Sequence, residues 1–155
     1  MELARNLKTE CVSRLTPAPA HTVEPSQTVA EAVALMRQHK TGCLLVCEGK
    51  KLVGIFTERD LLRRALAAGK PLSISVSSCM TKNPVTVDLN DPINLAIRRM
   101  EEGGYRNLPV IDSEGVAQGI LSVKHIVHYL AEHFPSTVYN QPPDPSSVPQ
   151  TPDGA

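Results

Sequence analysis

The chain contains the same pattern twice, offset by about 64 residues, and this duplication limits the folds that it can adopt. The coinciding residues are Thr22 with Thr86, Ala32 with Ala96, Met36 with Met100, Leu44 with Leu108, and Val46 with Val110. One residue is inserted near 113–115, and beyond it the pairs are Gly54 with Gly119, Ile55 with Ile120, Thr57 with Ser122, and Asp60 with His125. Matches in one order through both halves indicate a repeated structural unit.

Each copy has the same predicted order of elements, β-α-β-β-α. In the first copy a strand at Thr22–Val23 precedes a helix that begins at Thr28, with Glu31 completing a capping-box pattern. In the second copy the first helix begins at Asp91, with Pro92 in its first position. The remaining predicted elements are strands over 43–47, 51–56, 85–87, 107–111 and 116–121, and helices over 58–68 and 123–133.

A single copy of about 60 residues has too few layers to cover its own sheet, so two copies must pack against each other. The predicted fold class is therefore α/β (α+β), with two β-α-β-β-α repeats face to face as a pseudo-two-fold pair. The predicted divisions are an N-terminal segment 1–10, a first repeat 11–70, a linker 71–80, a second repeat 81–134, and a tail 135–155. The tail holds six of the 13 prolines and almost nothing apolar, which predicts disorder.

Composition excludes several classes of protein. The 16 basic and 16 acidic residues cancel, which argues against a nucleic-acid partner bound through its phosphates. No apolar run approaches the ~20 residues that a bilayer-spanning helix needs, and the first ten residues do not resemble a secretory signal. We therefore expect a cytoplasmic protein without a membrane partner.

The stretch Gly54–Asp60 lies at a predicted strand-to-helix junction and has two interpretations. In the structural one, Thr57 caps the helix and Asp60 favours the helix dipole. In the functional one, the glycine permits close approach of a ligand or chain, and the helix N-terminus binds an anion. A carboxylate one turn into the helix can also accept both hydroxyls of a ribose. Spacing alone leaves both interpretations open.

The pattern of glycine, apolar residue, any residue, Thr or Ser, two residues and Asp, at the end of a β-α-β-β-α repeat, resembles the cystathionine-β-synthase (CBS) domain. The sequence Tyr105-Arg106-Asn107-Leu108-Pro109-Val110 resembles the aromatic-or-His, Arg, apolar, Pro, Val strand of that family. The tandem arrangement, over about Cys11–His133, resembles a stand-alone CBS pair, also called a Bateman module.

The resemblance implies one site for an adenosine ligand in the cleft between the copies. It implies that Asp60 holds the ribose hydroxyls, that Thr57 holds phosphate, and that Arg106 reaches the phosphates from the opposite copy. The other candidate residues are Tyr105 beside Arg106, Arg59 for phosphate, and Ile55 or Phe56 with Val85 or His21 for adenine. The expected ligand is AMP, ADP or ATP, and S-adenosylmethionine is the alternative.

The second copy departs from the motif, because His125 stands where the ribose carboxylate is expected, after Ser122. Its partner strand has Thr41-Gly42 in place of an aromatic residue and arginine. We therefore expect one nucleotide site and one degenerate site. His125 also lies one turn from His128, but no carboxylate or cysteine converges on them, so no metal is expected.

The sequence contains none of the common catalytic motifs, so we expect no catalytic residues, no cofactor and no enzyme activity. The leading hypothesis is a regulatory, ligand-sensing module that acts on an unidentified effector protein. The alternative is a structural dimerisation module with a vestigial site. A homodimer is expected in either case, through the helices that contain 61–66 and 126–130.

Overall fold

The computed structural model describes residues 2–134, which form two β-α-β-β-α copies in the predicted order. The helices are α1 (Glu2–Thr9), α2 (Val29–His39), α3 (Glu58–Asp60), α4 (Ile93–Gly103) and α5 (Val123–His133). The strands are β1 (Thr22–Val23), β2 (Cys43–Glu48), β3 (Lys51–Thr57), β4 (Thr81–Lys82), β5 (Val87–Asp88), β6 (Asn107–Ile111) and β7 (Ala117–Ser122). Short 3₁₀ turns occupy Val12–Leu15 and Val76–Ser78.

The first helices of the two copies begin differently, because α2 is capped by a side-chain hydrogen bond and α4 is not. Thr28 Oγ1 accepts a hydrogen bond from the Glu31 N–H at 3.1 Å, so this half of the predicted capping box forms. Helix α4 begins one residue later than predicted, because Pro92 keeps an extended backbone and acts as the N-cap. The Asp91 carboxylate instead accepts from the Asp88 N–H at 2.9 Å.

Helix α3 differs from the predicted continuous helix over 58–68. It is α-helical only as far as Asp60 and continues as a π-helical segment over Leu61–Leu66. In this wider turn the Ala67 N–H donates to the Leu62 carbonyl, five residues back, at 2.8 Å. Ala65, near the end of this segment, is fully buried and packs in the core of the first copy.

The two sheets exchange short segments of chain. The first sheet has the order β1-β2-β3-β4, and its edge strand β4 comes from the start of the second copy. The second sheet has the order β5-β6-β7, and Ala18, just before β1, pairs with Ile120 of β7 through hydrogen bonds of 3.0 and 2.9 Å. In each copy, the segment before the first strand of its own sheet thus pairs with the sheet of the other copy. These pairings fix the relative orientation of the two copies.

The hydrophobic cores show the same exchange. The core of the first copy includes Val76 and Cys79, from the segment predicted as a linker, and the core of the second copy includes Val12. A third cluster, which includes Leu45 and Ile120, fills the space between the two sheets. This cluster confirms the predicted mixed α+β fold, in which two small sheets pack face to face.

Two sequence predictions concern the ends of the chain and its relation to membranes. The predicted disordered tail, 135–155, lies outside the described residues. Within residues 2–134 no helix combines the length and apolar character needed to cross a bilayer.

Candidate functional site

A cleft of about 690 Å³ opens between the two copies, a size within the usual range for small-ligand sites. Its walls come from the end of β3 and α3 in the first copy, from β4 and the residues after it, and from the start of β6 in the second copy. Seven of the nine residues named from the sequence line it, namely Ile55, Thr57, Arg59, Asp60, Val85, Tyr105 and Arg106. The two alternatives for adenine, Phe56 and His21, are not among the lining residues, and Phe56 is fully buried in the core of the first copy. The fold therefore brings the predicted set together, although the ligand roles of these residues stay predictions.

Thr57 and Asp60 form a reciprocal capping box at the N-terminus of α3. Asp60 Oδ2 accepts from the Thr57 N–H at 3.0 Å and from Thr57 Oγ1 at 3.1 Å. The Asp60 N–H donates to Thr57 Oγ1 at 3.4 Å. The capping role is therefore present, and it also fixes both side chains at the cleft wall.

The other oxygen of Asp60 binds residues that the sequence analysis did not single out. Thr81 Oγ1 donates to Asp60 Oδ1 at 3.1 Å, and Arg64 Nε lies 3.7 Å from the same oxygen. Arg64 Nη1 also donates to the Met80 carbonyl at 2.7 Å, so Arg64 ties α3 to the chain entering the second copy. The spacing of four residues between Asp60 and Arg64 predicts such an ion pair on a helix. The Thr81 contact depends on the pairing of β3 with β4, which no local pattern indicates.

Asp60 is nearly buried, with 6% of its surface exposed, and is the one buried charged residue within 2–134. Its charge also acts on Cys43. Burial, and secondarily the negative charge of Asp60, raises the pKa of the Cys43 thiol to about 12. Cys43 therefore stays a neutral thiol beside the site at physiological pH.

Gly54 is needed because another segment of the protein, and not a ligand, lies close to it. A Cβ atom at Gly54 would lie 2.6 Å from Met80 Sδ and 3.0 Å from the Thr81 carbonyl oxygen. At the equivalent Gly119 the nearest neighbour is backbone, because a Cβ atom there would lie 2.6 Å from the Ala18 carbonyl oxygen. The motif glycines thus admit the segments that the two copies exchange.

The cleft also presents apolar surface. Tyr105 and Val85 are 41% and 37% exposed, whereas Ile55 is buried. Tyr105 folds back over Gly103, where a Cβ would meet its ring. Exposed apolar side chains inside a concave site are typical of surfaces that bind a planar ring.

Several further residues line the cleft that the sequence analysis did not place there. They are Gly42, Glu58, Leu62, Arg63, Thr81, Lys82, Asn83, Pro84, Gly104, Asn107 and Pro109. Arg63 lines the cleft with an exposed side chain.

The corresponding position in the second copy has different chemistry. His125 Nδ1 replaces the carboxylate in the capping box and accepts from the Ser122 N–H at 2.8 Å. Burial, and secondarily the charge of His128, lowers the pKa of His125. A neutral imidazole therefore stands where Asp60 stands in the first copy. Within residues 2–134 no three His, Cys, Asp or Glu side chains are grouped to hold a metal ion.

Comparisons with known proteins identify the repeat. The model of the CBS domain family matches residues 12–67 and 76–132, once for each copy. A 17.7 kDa protein from the bps2 3′ region of Acidianus ambivalens is 32% identical over 122 residues, which cover 78% of this chain and 73% of that protein. The Arabidopsis thaliana protein CBSCBSPB1 is 36% identical over 107 residues, which cover 68% of this chain but only 20% of that longer relative.

Solved structures with the same fold include ligand complexes. The structure of CBSX2 in complex with AMP has a TM-score of 0.71 at 28% identity and covers 79% of this chain and 96% of that one. The CBS domain pair of protein MJ0100, in complex with 5′-methylthioadenosine and S-adenosyl-L-methionine, has a TM-score of 0.70 at 25% identity. This second match covers 77% of this chain and 98% of that one. The tandem matches, the exchanged segments and the Thr57–Asp60 junction agree, and the chain belongs to the CBS domain family, as a tandem pair of CBS domains.

Proposed function

We propose that this chain is a regulatory module, not an enzyme, that binds one adenosine nucleotide in the cleft between its two copies. The observation that carries the proposal is the convergence of Thr57, Asp60 and Arg106 on one cleft, from both copies. A ligand held by both copies stabilises one relative arrangement of them, which is the property that a sensing module needs.

Five of the candidate residues have a direct role in the proposed complex. Asp60 accepts hydrogen bonds from the ribose hydroxyls, Thr57 holds the first phosphate, and Arg106 neutralises that phosphate from the second copy. The adenine ring lies between Val85 and Tyr105, which are exposed apolar side chains of the cleft.

Complexes of related proteins support this ligand class. AMP in CBSX2, and 5′-methylthioadenosine and S-adenosylmethionine in MJ0100, share the adenosine group. A site that recognises ribose and adenine would accept any of these ligands. Selectivity between AMP, ADP, ATP and S-adenosylmethionine therefore depends on the group attached at the ribose 5′ position.

We further propose a homodimer that acts on an effector protein in the cytoplasm. Large apolar side chains are exposed on the helices after both motifs, namely Leu62, Leu66, Val123 and Val127. Such surfaces are typical of contacts between protein copies. The four cysteines are all free thiols, which suits a reducing compartment.

A thermal-shift series tests the function. AMP, ADP, ATP and S-adenosylmethionine are compared with GMP and CMP, which carry the same sugar and phosphate on other bases. A ligand at 100 times its Kd stabilises the fold by about 2.7 kcal/mol, which raises Tm measurably. We expect stabilisation by adenosine ligands alone. If none of them raises Tm, the site is vestigial and the chain acts as a structural dimerisation module.

A further inference from the structure

Four cationic side chains line the cleft and outnumber its two carboxylates. The cations are Arg59, Arg63, Lys82 and Arg106, and the carboxylates are Glu58 and Asp60. Asp60 is already held by Thr57, Thr81 and Arg64. Among residues 2–134 none of the four cations forms an ion pair. The cleft therefore has excess positive charge that an anionic ligand can neutralise.

The Ser122–His125 junction provides an internal comparison, because three of the four positions equivalent to these cations carry no permanent positive charge. Gly42 is the structural equivalent of Arg106, because the two residues accept equivalent hydrogen bonds. The Glu58 N–H donates to the Gly42 carbonyl, and the Val123 N–H donates to the Arg106 carbonyl. The segment equivalent to β4 reads Pro-Ala-Pro-Ala at 17–20 and carries no charge.

The equivalent of Arg63 is His128, which pairs with Glu132 at 3.1 Å. Of the four cationic positions, only that of Arg59 keeps a permanent charge, as Lys124. The excess of cations is thus particular to the cleft that contains Asp60.

Resting on the nucleotide site proposed above, we infer that Arg63 and Lys82 select a ligand with a di- or triphosphate chain over a monophosphate and over S-adenosylmethionine. Thr57 and Arg106 suffice for the first phosphate, which leaves Arg63 and Lys82 for those beyond it. Arg63 comes from the segment after α3, and Lys82 from β4, which pairs with β3. Each further phosphate adds negative charge that both side chains attract, whereas the sulfonium of S-adenosylmethionine is a cation and is repelled.

Calorimetric titration in metal-free buffer tests the inference with AMP, ATP and S-adenosylmethionine. The proteins are the wild type, Arg63→Gln, Lys82→Gln, the double variant, and Arg37→Gln as a control on α2, away from the cleft. All substituted side chains are exposed, so the fold is retained, and melting curves verify this.

We expect the wild type to bind ATP about tenfold more tightly than AMP, which corresponds to about 1.4 kcal/mol. The double variant loses about tenfold in ATP affinity but less than about threefold in AMP affinity, and Arg37→Gln changes neither. Wild-type protein that binds AMP or S-adenosylmethionine at least as tightly as ATP overturns the inference and leaves the adenosine site standing. Equal losses for AMP and ATP in the double variant also overturn it. If no adenosine ligand binds to any of the proteins, the proposed function fails and the inference fails with it.

Discussion

Thr81 Oγ1 donates a hydrogen bond to Asp60 Oδ1 across 3.1 Å, and the two residues belong to different copies of the repeat. The carboxylate proposed to bind ribose is therefore oriented by both halves of the molecule. In the second copy this relationship has no counterpart, because Ala18 pairs with Ile120 as Thr81 pairs with Ile55. Orientation of Asp60 by Thr81 is thus particular to the cleft that we propose is functional.

Replacing Thr81 by valine removes this hydrogen bond with little change of shape. We expect the free energy of unfolding to fall by about 1 kcal/mol, and the affinity for the preferred adenosine nucleotide to fall about three- to tenfold, because Asp60 loses a fixed partner. Urea unfolding and calorimetric titration measure the two effects. The control Thr22→Val lies on β1 with an exposed side chain and leaves the affinity unchanged. Wild-type affinity in Thr81→Val would show that the contact does not orient the site.

Gly119→Ala is expected to destabilise the protein more than Gly54→Ala. The new methyl group at 119 meets the Ala18 backbone oxygen, which is held by the pairing with Ile120, whereas at 54 its nearest neighbour is the flexible Met80 side chain. Overpacking of this kind costs about 1–3 kcal/mol. Urea unfolding of both variants shows which of them has the lower free energy of unfolding. If Gly119→Ala is as stable as the wild type, the close approach of the exchanged segment is not required.

Stability should depend on pH through His125. Its pKa is lowered in the folded state, so the unfolded chain binds more protons between that value and the ordinary 6.5. The contribution of His125 is therefore fully present above about pH 6.5 and is lost as the pH falls toward the folded-state pKa. His125→Asn keeps an acceptor for the Ser122 N–H but does not titrate, so its unfolding free energy should fall less between pH 7.5 and 5. Identical pH dependence in the two proteins contradicts this assignment.

The exposed helix faces predict a homodimer that dissociates when lysine side chains are introduced on those faces. Leu66 and Val127 are 51% and 56% exposed on the helical segments after the two motifs. We expect light scattering at micromolar concentration to give twice 16.8 kDa for the wild type, and 16.8 kDa for the double variant Leu66→Lys/Val127→Lys. Leu72→Lys, exposed but outside those segments, serves as the control. A wild-type mass of 16.8 kDa would remove these faces from consideration as an interface.

The duplication explains why so much of the fold and the cleft could be predicted. Thr57 and Asp60 belong to a local capping pattern, and local patterns depend on residues three or four apart. Tyr105 and Arg106 were predicted from the resemblance of residues 105–110 to a strand of the CBS family, and the offset then showed that Thr41-Gly42 stands at the equivalent place in the first copy.

Contacts that depend on exchanged segments could not be predicted. Thr81 lies beside Asp60 because β4 pairs with β3, and Val76 enters the core of the first copy where its N–H bonds the Gln27 carbonyl at 2.7 Å. The π-helical turn after Asp60 also has no local pattern, since Ala65 and Arg64 are held by distant parts of the chain. Non-local pairing of this kind is determined by the whole fold and not by any window of sequence.

Calorimetric titration of Asp60→Asn tests the central claim most directly. Asparagine keeps an oxygen that can accept from the Thr57 N–H, so the helix cap and the fold persist while the negative charge is lost. We predict one nucleotide bound per wild-type chain and at least a tenfold loss of affinity in Asp60→Asn, because charge-assisted hydrogen bonds contribute about 1.5–3 kcal/mol each. His125→Asn, the matched change in the second copy, should bind as the wild type does. Equal affinity of wild type and Asp60→Asn for every adenosine ligand that binds would contradict the proposed site.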